Sequence, residues 1–106
     1  MHSIIYNKLV RDNIPDIIEA DGKTCTIEIL SKANYLDMLE AKLGEELEEY
    51  KKDQNIEELA DLMEVIYALS KAHGITPTEL EKIRVEKSEK RGGFEKRILL
   101  KEVMET

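Results

Sequence analysis

The chain has 106 residues, of which 42% are hydrophobic and 37% are charged, and its formal net charge is −7. The length predicts a single domain over residues 1–106, and the apolar share argues against a disordered chain. The acidic balance argues against sequence-independent binding to DNA or RNA, which needs a basic surface. No apolar run approaches membrane-spanning length, no signal-peptide pattern opens the chain, and Cys25 is the only cysteine. We therefore expect a cytoplasmic protein that binds neither a membrane nor a nucleic-acid polymer.

The chain begins with an arm and a short helix. Residues 1–10 are apolar and then basic, which predicts an irregular or extended arm. Asp12 or Asn13 can cap a helix that has Pro15 near its first turn. This helix is expected to end at Gly22, because glycine is favoured just after a helix C-terminus.

The following segment, Thr24–Leu30, predicts one strand. Its residues alternate between apolar and polar, with Cys25, Ile27 and Ile29 on one side. Residues 98–100 are the candidate partner strand. Cys25 is expected to be a small core residue.

Two long helices are predicted next. The first covers about Asn34–Lys52, where an apolar stripe recurs at steps of three and four: Leu36, Leu39, Leu43, Leu47 and Tyr50. The second covers Ile56–Ala72, with Asn55 as its N-cap. Its apolar residues cover more than half of the helix circumference. A chain this small has few elements to cover such a helix, so we expect a partner subunit.

The last predicted helix starts at Thr76-Pro77-Thr78-Glu79, which has the pattern of a capping box, and ends at Arg91. Residues 94–103 fit a strand or a helix. Phe94 is expected to fill the core, with a base-stacking platform after Gly92-Gly93 as the alternative. The predicted fold class is therefore mainly all-α, an antiparallel helical bundle with a short extended or strand segment near each end.

Two acidic pairs fall one helical turn apart in the first long helix, Glu45/Glu48 and Glu46/Glu49. Glu46 lies about 60° from the centre of the apolar stripe at ~100° per residue, and Glu49 lies farther round on the same side. Glu45 and Glu48 point away from the stripe and are expected to be solvated. Glu46 and Glu49 are thus the pair that can border a buried groove.

A second pair, Glu58 and Asp61, lies on the next helix, with Glu58 inside the apolar arc and Asp61 at its edge. A short link makes the two helices antiparallel neighbours, so the two pairs are expected to meet and repel one another. Such repulsion raises the pKa of at least one carboxyl group. A divalent cation would remove it, and oxygen ligands favour Mg²⁺, with Mn²⁺ as the alternative.

Purely structural roles are the alternative for these acids. Glu58 can be the third helical residue of a capping box with Asn55. Glu49 can pair with Lys42 or Lys52. Either pair taken alone is more often structural than functional, whereas two pairs on neighbouring helices favour a site.

The apolar row of the last helix continues as Lys87 and Arg91. Cations at a helix C-terminus commonly interact with the helix dipole. A basic row on the core face of an acidic protein also predicts a phosphate-binding patch. Lys8 and Arg11 in the N-terminal arm are candidates to extend it.

Three runs, Lys42–Glu49, Glu57–Asp61 and Lys87–Phe94, together resemble the all-α nucleotide pyrophosphohydrolases of the MazG type. The opening Tyr6–Asp12, followed by Ile14-Pro15, resembles a branch of phosphoribosyl-ATP pyrophosphohydrolase-like proteins. The resemblance covers most of the chain.

The resemblance implies a helical bundle that assembles as a homodimer or homotetramer. It implies magnesium-dependent hydrolysis of a nucleoside triphosphate or related nucleotide to the monophosphate and pyrophosphate, as in the removal of non-standard nucleotides. Carried over by position, the metal ligands and catalytic residues would be Glu46, Glu49, Glu58 and Asp61. Lys87 and Arg91 would bind phosphate.

Other functions remain open. Phosphoribosyl-ATP hydrolysis in histidine biosynthesis uses the same chemistry on a different nucleotide. A non-catalytic helical protein that binds a partner would explain the charge and the apolar middle helix. A protein that binds a divalent ion without hydrolysis is a further alternative.

Overall fold

The computed structural model describes residues 2–105 and contains four helices. These are α1 (Ile14–Ala20), α2 (Lys32–Asp53), α3 (Ile56–Ala72) and α4 (Pro77–Arg91). No strand occurs among residues 2–105, so the described chain is all-α. None of the helices in this range is long and apolar enough to cross a membrane.

The helix boundaries follow mainly from local capping. α3 has its predicted bounds, and the Asn55 side chain caps it by accepting a hydrogen bond from the Glu58 amide at 3.0 Å. At the start of α4, Thr76 and Glu79 form the predicted capping box. α2 begins earlier than predicted because the Ser31 hydroxyl accepts a hydrogen bond from the amide of Asn34.

The main packing contact joins α2 to α3. Between them the chain reverses over two residues, Gln54 in the left-handed region (φ 52°) and Asn55 extended, so the helices run antiparallel. Leu39 of α2 and Val65 of α3 are the buried apolar side chains, 3% and 8% exposed. The sequence therefore places its small core between the two helices that carry the acidic pairs.

The turn from α3 to α4 is fixed by a buried serine. The Ser70 hydroxyl donates a hydrogen bond to the Ile75 carbonyl oxygen at 2.7 Å. Beyond this turn, α4 meets α3 near Leu80 and Arg84, which line a cleft together with Tyr67. The C-terminal half of α4 is exposed.

The predicted strand is wrong for the described chain. Residues 24–30 are not paired in a sheet, and Ile27 and Ile29 are 60% and 87% exposed. Residues 98–100 do not pair with them. Alternation predicts a half-buried face, but a strand also needs a partner for its amide and carbonyl groups, and residues 2–105 supply none. The core role predicted for Phe94 is also wrong, because it is 96% exposed.

The chain exposes much more surface than a compact protein of its size. Its accessible area is 10115 Å², whereas a compact monomer of this mass exposes about 6,000 Å². Its radius of gyration is 18.8 Å, against about 13 Å for a compact chain of ~100 residues. The excess accessible area includes apolar side chains of α3, such as Met63 and Ile66, of the N-terminal arm, and of the C-terminal residues 94–104. Obligate interfaces bury ~2,000–5,000 Å² summed over both partners, so one such interface would cover part of the excess of each chain.

We therefore expect the protein to associate through α3. Multi-angle light scattering should give at least twice the 12.2 kDa of one chain. Met63→Lys should weaken association because Met63 is half exposed on the apolar arc, whereas Lys71→Gln on the same helix should not. A monomer at high micromolar concentration would contradict this expectation.

Candidate metal and phosphate site

Three carboxylates from α2 and α3 lie together. One side-chain oxygen from each of Glu46, Glu58 and Asp61 lies within 4.8 Å of the others. All three residues are half-buried, and the Glu46 side chain is only 13% exposed. Oxygens on opposite sides of a bound divalent cation are about 4.0–4.2 Å apart for Mg²⁺ and about 4.6–5.2 Å apart for the larger Ca²⁺. The three groups can therefore contact one cation.

A second acidic group overlaps the first. Oxygens of Glu49, Asp53 and Glu58 also lie within 4.8 Å of one another, although Glu49 and Asp53 are exposed. Glu58 belongs to both groups, so the four acids predicted from the sequence lie along one edge of the α2–α3 pair. Sequence reasoning missed Asp53. Its position one turn after Glu49 was the available signal.

The Glu58 side chain takes part in this cluster and not in a capping box. Its amide is bonded to Asn55, but only half of the box forms at α3. Glu79 occupies the equivalent position of α4, and its carboxylate accepts a hydrogen bond from the Thr76 amide. Capping therefore explains the hydrogen bond of the Glu58 amide. It does not explain the position of the Glu58 carboxylate, which lies among the other acids.

The environment raises the pKa of Glu58 above its ordinary value of 4.5. Partial burial is the largest cause, and the charges of Asp61, Glu46, Glu49 and Asp53 add to it. The repulsion expected from the sequence therefore contributes to the raised pKa of Glu58, where burial is the larger cause.

In the structure the N-terminal arm continues as far as α1, which begins at Ile14, and its Arg11 side chain reaches the cluster. Its Nη2 lies 2.6 Å from Oδ1 of Asp61, and its Nη1 lies 3.5 Å from Oε1 of Glu64, one turn farther along α3. The placement of the arm could not be read from sequence, because residues 1–10 have no helical or strand period. The structure brings Arg11, a predicted phosphate-binding residue, to the carboxylates.

Two lysines neutralise part of the acidic edge of α2. Lys42 lies 3.4 Å from Glu45 and 3.5 Å from Glu46, so it pairs with these acids and not with Glu49. Lys8 of the arm lies 3.2 Å from Glu45. Partial burial alone would raise the pKa of the Glu45 carboxyl group, but the hydrogen bond from Lys8 and the charge of Lys42 outweigh burial and lower it.

The outward direction predicted for Glu45 and Glu48 holds only for Glu48. The Glu48 side chain is 72% exposed and pairs with Lys51. The Glu45 side chain is 32% exposed and takes part in the ion pairs with Lys8 and Lys42. The Glu45 side chain turns toward the N-terminal arm. The helical periodicity of α2 carries no information about the arm, so it could not predict this contact.

An open cleft of about 250 Å³ adjoins the cluster. Two carboxylates, two cations and two apolar side chains line it: Glu46, Asp61, Arg11, Lys42, Val10 and Ile14. Positively and negatively charged side chains therefore line the same cleft. This arrangement is suited to binding a phosphate group together with a metal cation.

Lys87 and Arg91 lie elsewhere in the described chain. Both are exposed on the last turns of α4. Within residues 2–105 neither lines this cleft nor forms an ion pair with a carboxylate. Their contact with phosphate stays a prediction.

Comparison with known proteins gives one partial similarity. Over 42 residues, 40% of this chain, the sequence is 50% identical to an uncharacterized protein of Mycolicibacterium smegmatis (strain ATCC 700084 / mc(2)155). The matched part covers 43% of that protein, so the similarity spans less than half of either chain. No family model and no solved structure matches the chain.

The raised pKa of Glu58 predicts a pH dependence of stability in metal-free protein. A carboxyl group whose pKa is raised by folding favours the folded state fully below its ordinary value of 4.5. That contribution is lost as pH rises through the raised value. In chelator, Glu58→Gln should therefore raise the melting temperature at pH 7 and change it little at pH 4.

Glu57→Gln is the matched control, because Glu57 lies in the same first turn of α3 and is exposed. The control removes the same charge beside the same helix terminus but leaves the cluster intact. Equal melting temperatures for the two variants at pH 7 would contradict a raised pKa of Glu58 in the folded protein.

Proposed function

We propose that this protein is a divalent-cation-dependent nucleotide pyrophosphohydrolase, which converts a nucleoside triphosphate or related nucleotide to the monophosphate and pyrophosphate. The observation that carries the proposal is the convergence of Glu46, Glu58 and Asp61 within 4.8 Å, beside a cleft that Arg11 and Lys42 also line. The sequence resemblance to MazG-type enzymes supplies the reaction class.

The donor set fits Mg²⁺ or Mn²⁺. It consists of carboxylate oxygens, which hard divalent cations prefer. Glu46, Glu58 and Asp61 would hold the cation, with Glu49 joining through the group that it shares with Glu58. When bound, the cation would neutralise phosphate charge and lower the pKa of water for hydrolysis.

The chain's own groups account for the other requirements of the reaction. Arg11 and Lys42 can pair with phosphate oxygens in the cleft, and Lys8 is held beside them through Glu45. A carboxylate oxygen not engaged with the cation would accept the proton released by the attacking water. Lys87 and Arg91 of α4 would stabilise charge on the phosphate chain.

The proposal includes the assembly and compartment that the resemblance implies. A homodimer or homotetramer would cover the apolar surface of α3 and complete a helical bundle of MazG type. The acidic, cysteine-poor composition suits the cytosol. The excess exposed area also supports a second candidate, a non-catalytic helical domain that binds a partner protein.

Activity distinguishes these functions. With Mg²⁺, the protein should release pyrophosphate from at least one member of a nucleotide panel that includes phosphoribosyl-ATP, and chelator should abolish release. Glu46→Gln and Glu49→Gln should each lower the rate, and loss of a ligand should cost at least about 100-fold. Orthophosphate as the first product, or full activity in chelator, would contradict the proposal.

Glu48→Gln is the matched control within α2, because Glu48 is exposed and pairs only with Lys51 among the described residues. It should retain nearly full activity. Glu45→Gln should also be mild, since Glu45 belongs to neither acidic group. Severe loss in these two variants with normal Glu46→Gln and Glu49→Gln would mean that the site lies on the other face of α2.

Mg²⁺ should also stabilise the fold, because an ion that binds only the folded state shifts unfolding by mass action. At one hundred times its dissociation constant the shift is about 2.7 kcal/mol. Thermal melts with and without Mg²⁺ measure it, and Glu58→Gln should reduce it. An identical Mg²⁺ effect in wild type and Glu58→Gln would argue against binding at this cluster.

A further inference from the structure

Arg11 connects the N-terminal arm to an acid that the proposed function assigns to the metal. Its two terminal nitrogens contact different carboxylates of α3, Asp61 at 2.6 Å and Glu64 at 3.5 Å. Asp61 is also one of the three acids within 4.8 Å of one another. One carboxylate group is therefore shared between an arginine of the arm and the candidate cation site.

The arm is held to the helices mainly by charge. Lys8 pairs with Glu45 on α2, and Arg11 pairs with α3, so the arm spans both helices. Ile4, Ile5 and Tyr6 are 71%, 76% and 67% exposed, and they add little apolar contact. The side chains of Arg11 and Asp61 are 55% and 39% exposed. Ion pairs this exposed are weak and are screened by salt.

A cation at the cluster would stand close to the guanidinium group. Any ion bound by Asp61 lies about 2–2.5 Å from its carboxylate oxygen, and Nη2 of Arg11 lies 2.6 Å from Oδ1 of the same group. The ion and the guanidinium group would contact the same carboxylate group, and their positive charges would repel one another. A doubly charged ion that contacts three carboxylates is attracted to the cluster more strongly than one exposed arginine side chain is.

We propose that Arg11 is the resident counter-ion of Asp61 in the metal-free protein, and that a divalent cation displaces it and loosens the arm. The displaced guanidinium is then free to bind the phosphate oxygens of a nucleotide, for which its planar array of donors is suited. Metal binding thus prepares the phosphate-binding group. This inference rests on the proposed metal site, and it concerns competition between Arg11 and the ion, which the proposed function does not require.

The test uses Mn²⁺ alone, without nucleotide, and compares wild type, Arg11→Gln and Arg84→Gln by calorimetry. Arg84 pairs with Glu81 on α4 and lines a different cleft, so its replacement changes net charge equally without touching the cluster. Arg11→Gln should bind Mn²⁺ about two- to fivefold more tightly than Arg84→Gln, the range expected for removal of one exposed ion pair.

NMR relaxation of the backbone amides in the wild-type chain gives a second readout that needs no variant. Mg²⁺ should lower the order parameters of residues 8–12, because the arm loses its contact with α3. Should Arg11→Gln fail to fold, Arg11→Lys keeps the charge but cannot contact Asp61 and Glu64 through two separate nitrogens. It should give a smaller gain in Mn²⁺ affinity.

The outcomes separate this inference from the proposed function. Mn²⁺ binding to wild type, with equal or weaker binding to Arg11→Gln and unchanged order parameters in the arm, overturns the competition and leaves the metal site standing. Failure of wild type to bind Mn²⁺ overturns both. Tighter binding by Arg11→Gln and not by Arg84→Gln, together with lower order parameters in the wild-type arm when Mg²⁺ is bound, supports the displacement.

Discussion

The antiparallel packing of α2 against α3 determines both the core and the chemistry of this protein. Leu39 and Val65 are buried in this contact, and the same contact brings Glu46 next to Glu58 and Asp61. Burial of apolar side chains favours the contact, whereas the repulsion of like charges opposes it. Partial compensation comes from Lys42 and Arg11, which pair with Glu46 and Asp61. No cation pairs with Glu58 within residues 2–105, and burial and the neighbouring acids raise its pKa.

Helical periodicity and capping made most of the helix bounds and the acidic residues of the site predictable from the sequence. The bounds of α3 follow from Asn55 and an apolar arc, and the four acids follow from their positions around α2 and α3. These features are local, since they depend on residues within one or two turns. The position of Arg11 was not predictable, because the contact joins residues fifty positions apart through an arm without a repeating pattern.

The wrong prediction of a strand has a related cause. The alternation in residues 24–30 indicates that one side of the segment prefers burial, but it does not identify the surface that covers it. In the described chain Ile29 is 87% exposed, so that preference is unmet. The same is true of Met63 on α3. Both observations fit a chain whose exposed apolar side chains are covered when chains associate. Association would also change the surroundings of Lys87 and Arg91, which lie away from the cleft within one chain.

The central claim is that Glu46, Glu58 and Asp61 form one divalent-cation site. Anomalous diffraction from crystals grown with Mn²⁺ tests it most directly, because the signal locates the ion without reference to activity. The account predicts one strong peak within about 2.5 Å of an oxygen from each of the three carboxylates. The absence of a peak there at saturating Mn²⁺, or a peak only at other acids of the surface, would contradict it.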